Sequence, residues 1–166
     1  MTAASKDSLE KYREISQKLA DPILLAELMA AFDRRYTLTE LLEWMHARLK
    51  FDKGKIERHN DPREILAYGR GRCGEFSILF TSLCLAHWYR ARLILDMSDH
   101  VWTEVWDYHQ NKWIHIDPSE KRIDDPFMYE RDWKKKLKEI YAFENGTIDN
   151  VTKNYKPAKA QPNCHK

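Results

Sequence analysis

Apolar residues recur at helical spacing through the first half of the chain and at alternate positions beyond it, so the sequence divides into a helical part and a strand part. From about Ser5 to Phe32, Leu9, Tyr12, Ile15, Leu19, Ile23 and Leu24 keep helical spacing. Asp21-Pro22 interrupts that run, which predicts two short helices rather than one. Thr37-Leu38-Thr39-Glu40 has the form of a capping box and opens a helix reaching about Lys50, with Leu41, Leu42, Met45 and Leu49 on one face. A polar loop follows over Phe51 to Asn60. Asp61 and Pro62 then supply an N-cap acceptor and a fixed φ, and Gly69 stops the short helix they start. Phe76, Leu79, Phe80, Leu83 and His87 describe a further helix, apolar enough to be buried, with Cys73 at its start between Gly71 and Gly74.

The period then changes to two. Ala91 to Asp96, His100 to Asp107 and Lys112 to Asp117 are rich in Val, Ile, Trp and Tyr, and are predicted as three strands with turns at Met97-Ser98-Asp99 and His109-Gln110-Asn111. A loop after Pro118 leads to a charged helix around Tyr129 to Lys138, followed by a hairpin turning at Glu144-Asn145-Gly146-Thr147. The expected fold is α+β, with the cysteine helix packed on a small antiparallel sheet and additional N-terminal helices. The 166 residues suit one domain over 1–155, comprising an N-terminal helical segment over 1–36 and a core over 37–155, with a disordered tail over 156–166.

Composition narrows the function classes. The balance of 28 basic and 26 acidic residues argues against a nucleic-acid-binding chain, and the cluster Lys134, Lys135, Lys136 and Lys138 is expected to be a solvated helix face. No apolar run approaches the ~20 residues needed to cross a bilayer, so no membrane partner is expected and the chain is placed in the cytoplasm. Three cysteines, none in a Cys-x-x-Cys pair, form neither a disulfide framework nor a metal site. Cys84 lies eleven residues along the helix from Cys73, about 16 Å away by helical rise, and is assigned to core packing. Cys164 and His165 are two ligands short of a metal site. Asn145-Gly146-Thr147 and Asn150-Val151-Thr152 fit a glycosylation acceptor pattern but are expected to be turns.

Alternation puts His100, Trp102, Glu104 and Trp106 on one strand face, and Trp113, His115 and Asp117 on one face of the next. With a hairpin loop over Asp107 to Gln110, partner numbers sum to about 217, which sets His100 opposite Asp117 at ~5 Å between Cβ atoms. A carboxylate there can hold the imidazole through one ring nitrogen. A cysteine at a helix start meets unpaired backbone N–H groups and the positive end of the helix dipole, conditions that favour a thiolate and can stabilise an oxyanion. Cys73, His100 and Asp117 are thus candidates for nucleophile, base and orienting group, although residue identities alone are equally compatible with a buried thiol, a satisfied histidine and a strand cap.

The runs GRCGEF (Gly71 to Phe76), DHVWTEVW (Asp99 to Trp106) and WIHIDPSE (Trp113 to Glu120) resemble the core of the peptide:N-glycanases, a transglutaminase-like branch of the papain-like thiol enzymes. The likeness continues through YERDWKKKLKEIYAF and IDNVTKNY, covering roughly Asp61 to Tyr155. The resemblance implies that Cys73, His100 and Asp117 are the nucleophile, base and orienting carboxylate of a cysteine-dependent amidohydrolase. That enzyme class cleaves the amide between an N-linked glycan and asparagine through a thioester, with no cofactor. It further implies that Trp102, Glu104, Trp113, Glu120 and Trp133 lie by a sugar-binding cleft, and that the partner is an N-glycosylated, unfolded peptide or protein. The chain departs from that family in lacking paired Cys-x-x-Cys zinc ligands over Thr37 to Arg72, so no metal is expected. It also has Phe76 for a tryptophan, Ser119 for a cysteine, Lys134 for a glycine and Trp88 for a helix-ending glycine, the last implying either awkward backbone geometry or a rearranged helix end. A transglutaminase-like peptidase or acyltransferase acting on other amides, and a non-catalytic glycan- or protein-binding module, are the alternatives.

Overall fold

The two N-terminal helices form as α1 (Ala3–Leu19) and α2 (Pro22–Met29), separated at Asp21, whose side chain accepts from the backbone of Ile23 and Leu24. The computed structural model describes residues 1–156. The capping box at Thr37 is present in both directions and opens α3 (Leu38–His46), which ends one turn short of the expected Lys50 as Arg48 and Leu49 close back on the Met45 carbonyl. The loop that follows contributes Lys50–Phe51 (β1), paired in parallel with Arg70–Gly71 (β2). Between them lies α4 (Pro62–Tyr68), capped by Asp61 and closed by Gly69 in the left-handed region at φ 74°. The cysteine helix, α5, runs over Cys73–Ala86 and is almost wholly buried.

Strands β3 (Ala91–Asp96), β4 (His100–Asp107) and β5 (Lys112–Asp117) occupy the predicted ranges. With β6 (Arg122–Ile123), β7 (Ile140–Glu144) and β8 (Thr147–Asn150) they make an antiparallel sheet in the order β6-β5-β4-β3-β7-β8. The β7–β8 turn is at Asn145-Gly146, both with positive φ, as a two-residue hairpin requires. Side chains alternate across the sheet. Leu93, Leu95, Val101, Val105, Ile114, Ile116 and Phe143 join α5 and the N-terminal helices in the main core. Ile94, Trp102, Ile140 and Ala142 face the other way, into a second cluster with Met128, Tyr129, Leu137, Val151 and Tyr155.

The β4–β5 register differs from the expected one. Glu104 pairs with His115 and Asp107 with Lys112, so partner numbers sum to 219 rather than 217. The reason is local: Asp107 stays in the ladder while its carboxylate caps the turn by accepting from the backbone of His109 and Gln110, which moves the loop to Tyr108–Asn111. A two-residue slip keeps every side chain on its face, so His100 and Asp117 become diagonal neighbours on one side of the sheet.

The predicted helix over Tyr129 to Lys138 is a single turn, α6 (Met128–Arg131). Lys134 has φ 52°, outside the helical region, and the chain beyond it is anchored to β3, where the Lys138 N–H donates to Asp96 at 3.0 Å. The lysine cluster therefore lies on an irregular segment rather than a helix face. The expected disordered tail and the pair Cys164-His165 lie, apart from Lys156, outside the described residues.

Candidate active site

Cys73 is the first residue of α5, half-buried. The helix start is held from behind by Glu75, which accepts from the Arg72 backbone N–H at 3.0 Å and is itself buried against Arg58. Burial opposes the charge on Glu75, but its hydrogen bonds from Arg58 and the Arg72 backbone outweigh it and hold the carboxyl below its ordinary range. Gly71 is required by this close approach, since a Cβ there would sit 2.5 Å from that of Glu75. Two buried contacts fix α5 against β4: the Ser77 hydroxyl donates to the Val101 carbonyl at 3.0 Å, and the Thr81 and Thr103 hydroxyls lie 3.0 Å apart. Ser77 is one turn past Cys73 and Val101 is the residue after His100. The same contacts therefore bring the start of α5, with Cys73, up to the His100 end of β4.

His100 is 7% exposed, and its Nε2 lies 2.8 Å from Asp117 Oδ2. Nδ1 is thus the ring nitrogen left for the sulfur. Burial works against charge on this ring, but hydrogen bonds to Asp117 and Cys73 outweigh it and raise its pKa to about 9. Asp117 is fully buried with both oxygens occupied. Oδ2 also accepts from Tyr129 Oη at 2.8 Å, and Oδ1 accepts from the Ser119 hydroxyl at 2.8 Å and the Glu120 N–H at 3.3 Å. Desolvation alone would push this carboxyl up, but the bonds from His100, Tyr129 and Ser119 keep it below its usual value. At Ser119, where the resembling family has cysteine, the hydroxyl is a stronger donor than a thiol.

The five residues nominated for a sugar cleft are not equivalent. Trp102 is fully buried and Glu104 is 3% exposed, so neither presents a surface to a ligand, contrary to the expectation from sequence. Trp102 stacks on Tyr129 at 4.5 Å and donates to Tyr155 Oη at 2.8 Å. Tyr155 in turn donates to Glu104, which forms a buried ion pair with Arg92 at 2.7 Å. They lie inside because Met128, Tyr129, Leu137, Val151 and Tyr155 cover that sheet face. Trp113 is half-buried under the Arg92 guanidinium, four residues from Asp117 along β5, about 13 Å away by strand rise. Glu120 is exposed, with its backbone on Asp117. Trp133 is 40% exposed, with its ring 5.1 Å from that of His100. Sequence reasoning did not nominate His115 or Tyr129, although alternation put His115 on the Asp117 face. Beside the thiol, Arg58 Nη2 lies 3.5 Å from where a Gly74 Cβ would be, and it also lines a groove of about 640 Å³ between α1 and residues 58–64.

A helix-borne cysteine, a strand-borne histidine and an antiparallel α+β sheet define a transglutaminase-like domain, and the chain belongs to the transglutaminase-like superfamily, whose model matches residues 17–118. It is similar to peptide-N(4)-(N-acetyl-beta-glucosaminyl)asparagine amidases. That of Arabidopsis thaliana is 42% identical over 101 residues, which are 61% of this chain and 14% of the relative. That of Drosophila melanogaster is 44% identical over 103 residues, 62% of this chain and 16% of the relative. The chain thus spans about a sixth of the length of these relatives. A solved structure of Rad4–Rad23 bound to a 6-4 photoproduct UV lesion shares the fold, with a TM-score of 0.55 at 16% identity over 89% of this chain and 44% of that one.

Proposed function

We propose that the protein is a peptide:N-glycanase-like thiol amidase, with Cys73 as nucleophile, His100 as acid and base and Asp117 as the group that orients His100. The observation that supports this reading is the buried His100–Asp117 bond at 2.8 Å, which leaves the other ring nitrogen available to a thiol at a helix start. The similarity to the amidases supports the choice of amide.

In this mechanism the Cys73 thiolate adds to the side-chain amide carbon of a glycosylated asparagine. The first-turn N–H groups of α5, which lack intrahelical partners, can stabilise the oxyanion that forms. The carbon–nitrogen bond breaks as the proton on His100 Nδ1 passes to the departing glycosylamine, leaving a thioester. Water then gives a proton to the same nitrogen and adds to the thioester. The sulfur leaves as thiolate, and the peptide carries aspartate. Trp133, beside His100 and open to solvent, offers an indole face to a sugar ring, with Glu120 as an acceptor for hydroxyls. Trp102 and Glu104 act beneath the cleft, not in it.

The test is incubation of the chain with a denatured glycopeptide and mass analysis of both products. Free glycan together with conversion of asparagine to aspartate is expected, and Cys73→Ala should abolish both while retaining the circular-dichroism spectrum. Release that persists in Cys73→Ala removes the thiol from the mechanism, and cleavage of the peptide backbone in place of the side-chain amide replaces this reading with a peptidase.

A further inference from the structure

The hydrogen bonds beneath β5 have a single direction. The Asp125 backbone N–H donates to His115 Nδ1 at 3.2 Å, so that nitrogen is an acceptor and the His115 proton sits on Nε2. Nε2 donates to Tyr129 Oη at 2.7 Å. The Tyr129 hydroxyl then donates to Asp117 Oδ2 at 2.8 Å, the same oxygen that accepts from His100 Nε2. Burial pushes His115 down to about 4, so it stays neutral, as this arrangement requires. Trp102 stacks on the Tyr129 ring, and Trp133 lies against both Tyr129 and His100 at 5.2 Å and 5.1 Å.

We propose that Tyr129, oriented by His115 and Trp102, is a positioning residue that fixes the angle of the Asp117 carboxylate and through it the ring of His100 before Cys73. With one donor from His100 and one from Tyr129 on Oδ2, the carboxylate cannot rotate about its own axis without breaking two charge-assisted bonds. Without Tyr129, Oδ2 would be tied only to the ring it has to fix, and the carboxylate would otherwise be restrained through Oδ1 by Ser119 and the Glu120 N–H. Tyr129 lies beyond residues 17–118, so the span matched by the superfamily model does not supply it. The inference rests on the reading of Cys73 and His100 as a reacting pair, but not on the choice of substrate.

The test uses the rate of Cys73 alkylation by iodoacetamide at neutral pH, assigned by peptide mapping, in the full chain and in Tyr129→Phe, Asp117→Asn and the double variant. Removing one hydrogen bond to a charged group should slow alkylation about tenfold in Tyr129→Phe. The same change in the Asp117→Asn background should alter the rate by no more than about twofold, because the group it acts through is gone. A rate within about twofold of the parent, or an equal factor in both backgrounds, assigns Tyr129 to packing alone and overturns the proposal. If Tyr129→Phe does not fold, His115→Phe removes the donor that orients the hydroxyl and should slow alkylation severalfold, again only when Asp117 is present. An unchanged rate there is equally fatal. Failure of the parent chain to convert asparagine to aspartate would sink the glycanase reading while leaving this experiment intact.

Discussion

Raising the pH will weaken the fold through His100, and the size of the effect follows from the site. The ring has a pKa of about 9 in the fold against 6.5 for a free imidazole, because its bonds to Asp117 and Cys73 outweigh desolvation. The folded state therefore binds the proton more tightly than the unfolded chain does. The contribution is fully present below 6.5, declines as the pH rises, and is gone above about 9. At ~1.36 kcal/mol per pH unit the gap is worth about 3 kcal/mol. His115 does not titrate in this window, since burial holds it at about 4. The measurement is urea unfolding at a series of pH values for the parent chain and His100→Asn, taking the difference between the two curves so that other titrating groups cancel. NMR of the labelled imidazole gives the midpoint directly. Parallel curves across the interval, or a midpoint at or below 6.5, would show that Asp117 and Cys73 do not stabilise the imidazolium.

Lys134 sits at φ 52°, exposed and with no hydrogen bond or ion pair among the described residues, so Lys134→Gly should relieve strain and stabilise the chain by roughly 1 kcal/mol. For a chain of this length that is a rise of about 2–4 °C in Tm, read by calorimetry, and no rise means the backbone there is unstrained. Trp88→Gly relieves similar strain at φ 63°, but the indole is 73% exposed, so about 60 Å² of contact is lost, worth ~1.5 kcal/mol, and the net change in Tm should be near zero. Glu104→Gln leaves Arg92 buried against a neutral amide and should cost about 3 kcal/mol in urea unfolding, whereas a residue whose only task is to meet sugar would leave stability unchanged.

Where the sequence carried a local physical signal, the fold was legible in it. The Asp21-Pro22 break, the Thr37 capping box and the Asp61 and Gly69 caps rest on contacts within a few residues, the three central strands on the alternation within each, and all formed where the pattern put them. The proximity of His100 to Asp117 survived a register error because the error was even. Face is set by alternation, whereas register is set by how Asp107 caps its turn. The register error and the early end of α3 are local, whereas the two larger failures depend on distant parts of the chain. Nothing near Tyr129 reveals that Asp96 on β3 anchors the following segment, so helix-forming residues over 129–138 read as a helix. Nothing near Trp102 reveals that Tyr155 covers it, so a buried indole read as a sugar platform. The polar ties from Ser77 and Thr81 to β4 look from sequence like ordinary small residues on a buried helix.

The division of labour within the site follows from the same layout. The helix start that bears Cys73 and the strand that bears His100 meet because α5 and β4 are bonded on one face of the sheet, within the span that the superfamily model matches. The groups that steady Asp117 and flank His100 on the opposite side, Tyr129 and Trp133, come from α6 and the irregular segment after it, outside that span. A change at Trp133 should therefore alter what can approach His100 while leaving the reactivity of the thiol intact, because its ring packs edge-to-face with the imidazole and supplies no bond to Asp117. A change at Tyr129 should do the reverse. The two positions lie four residues apart, yet one faces solvent and the other is sealed, and on the proposed reading this difference separates substrate acceptance from the chemistry beneath it.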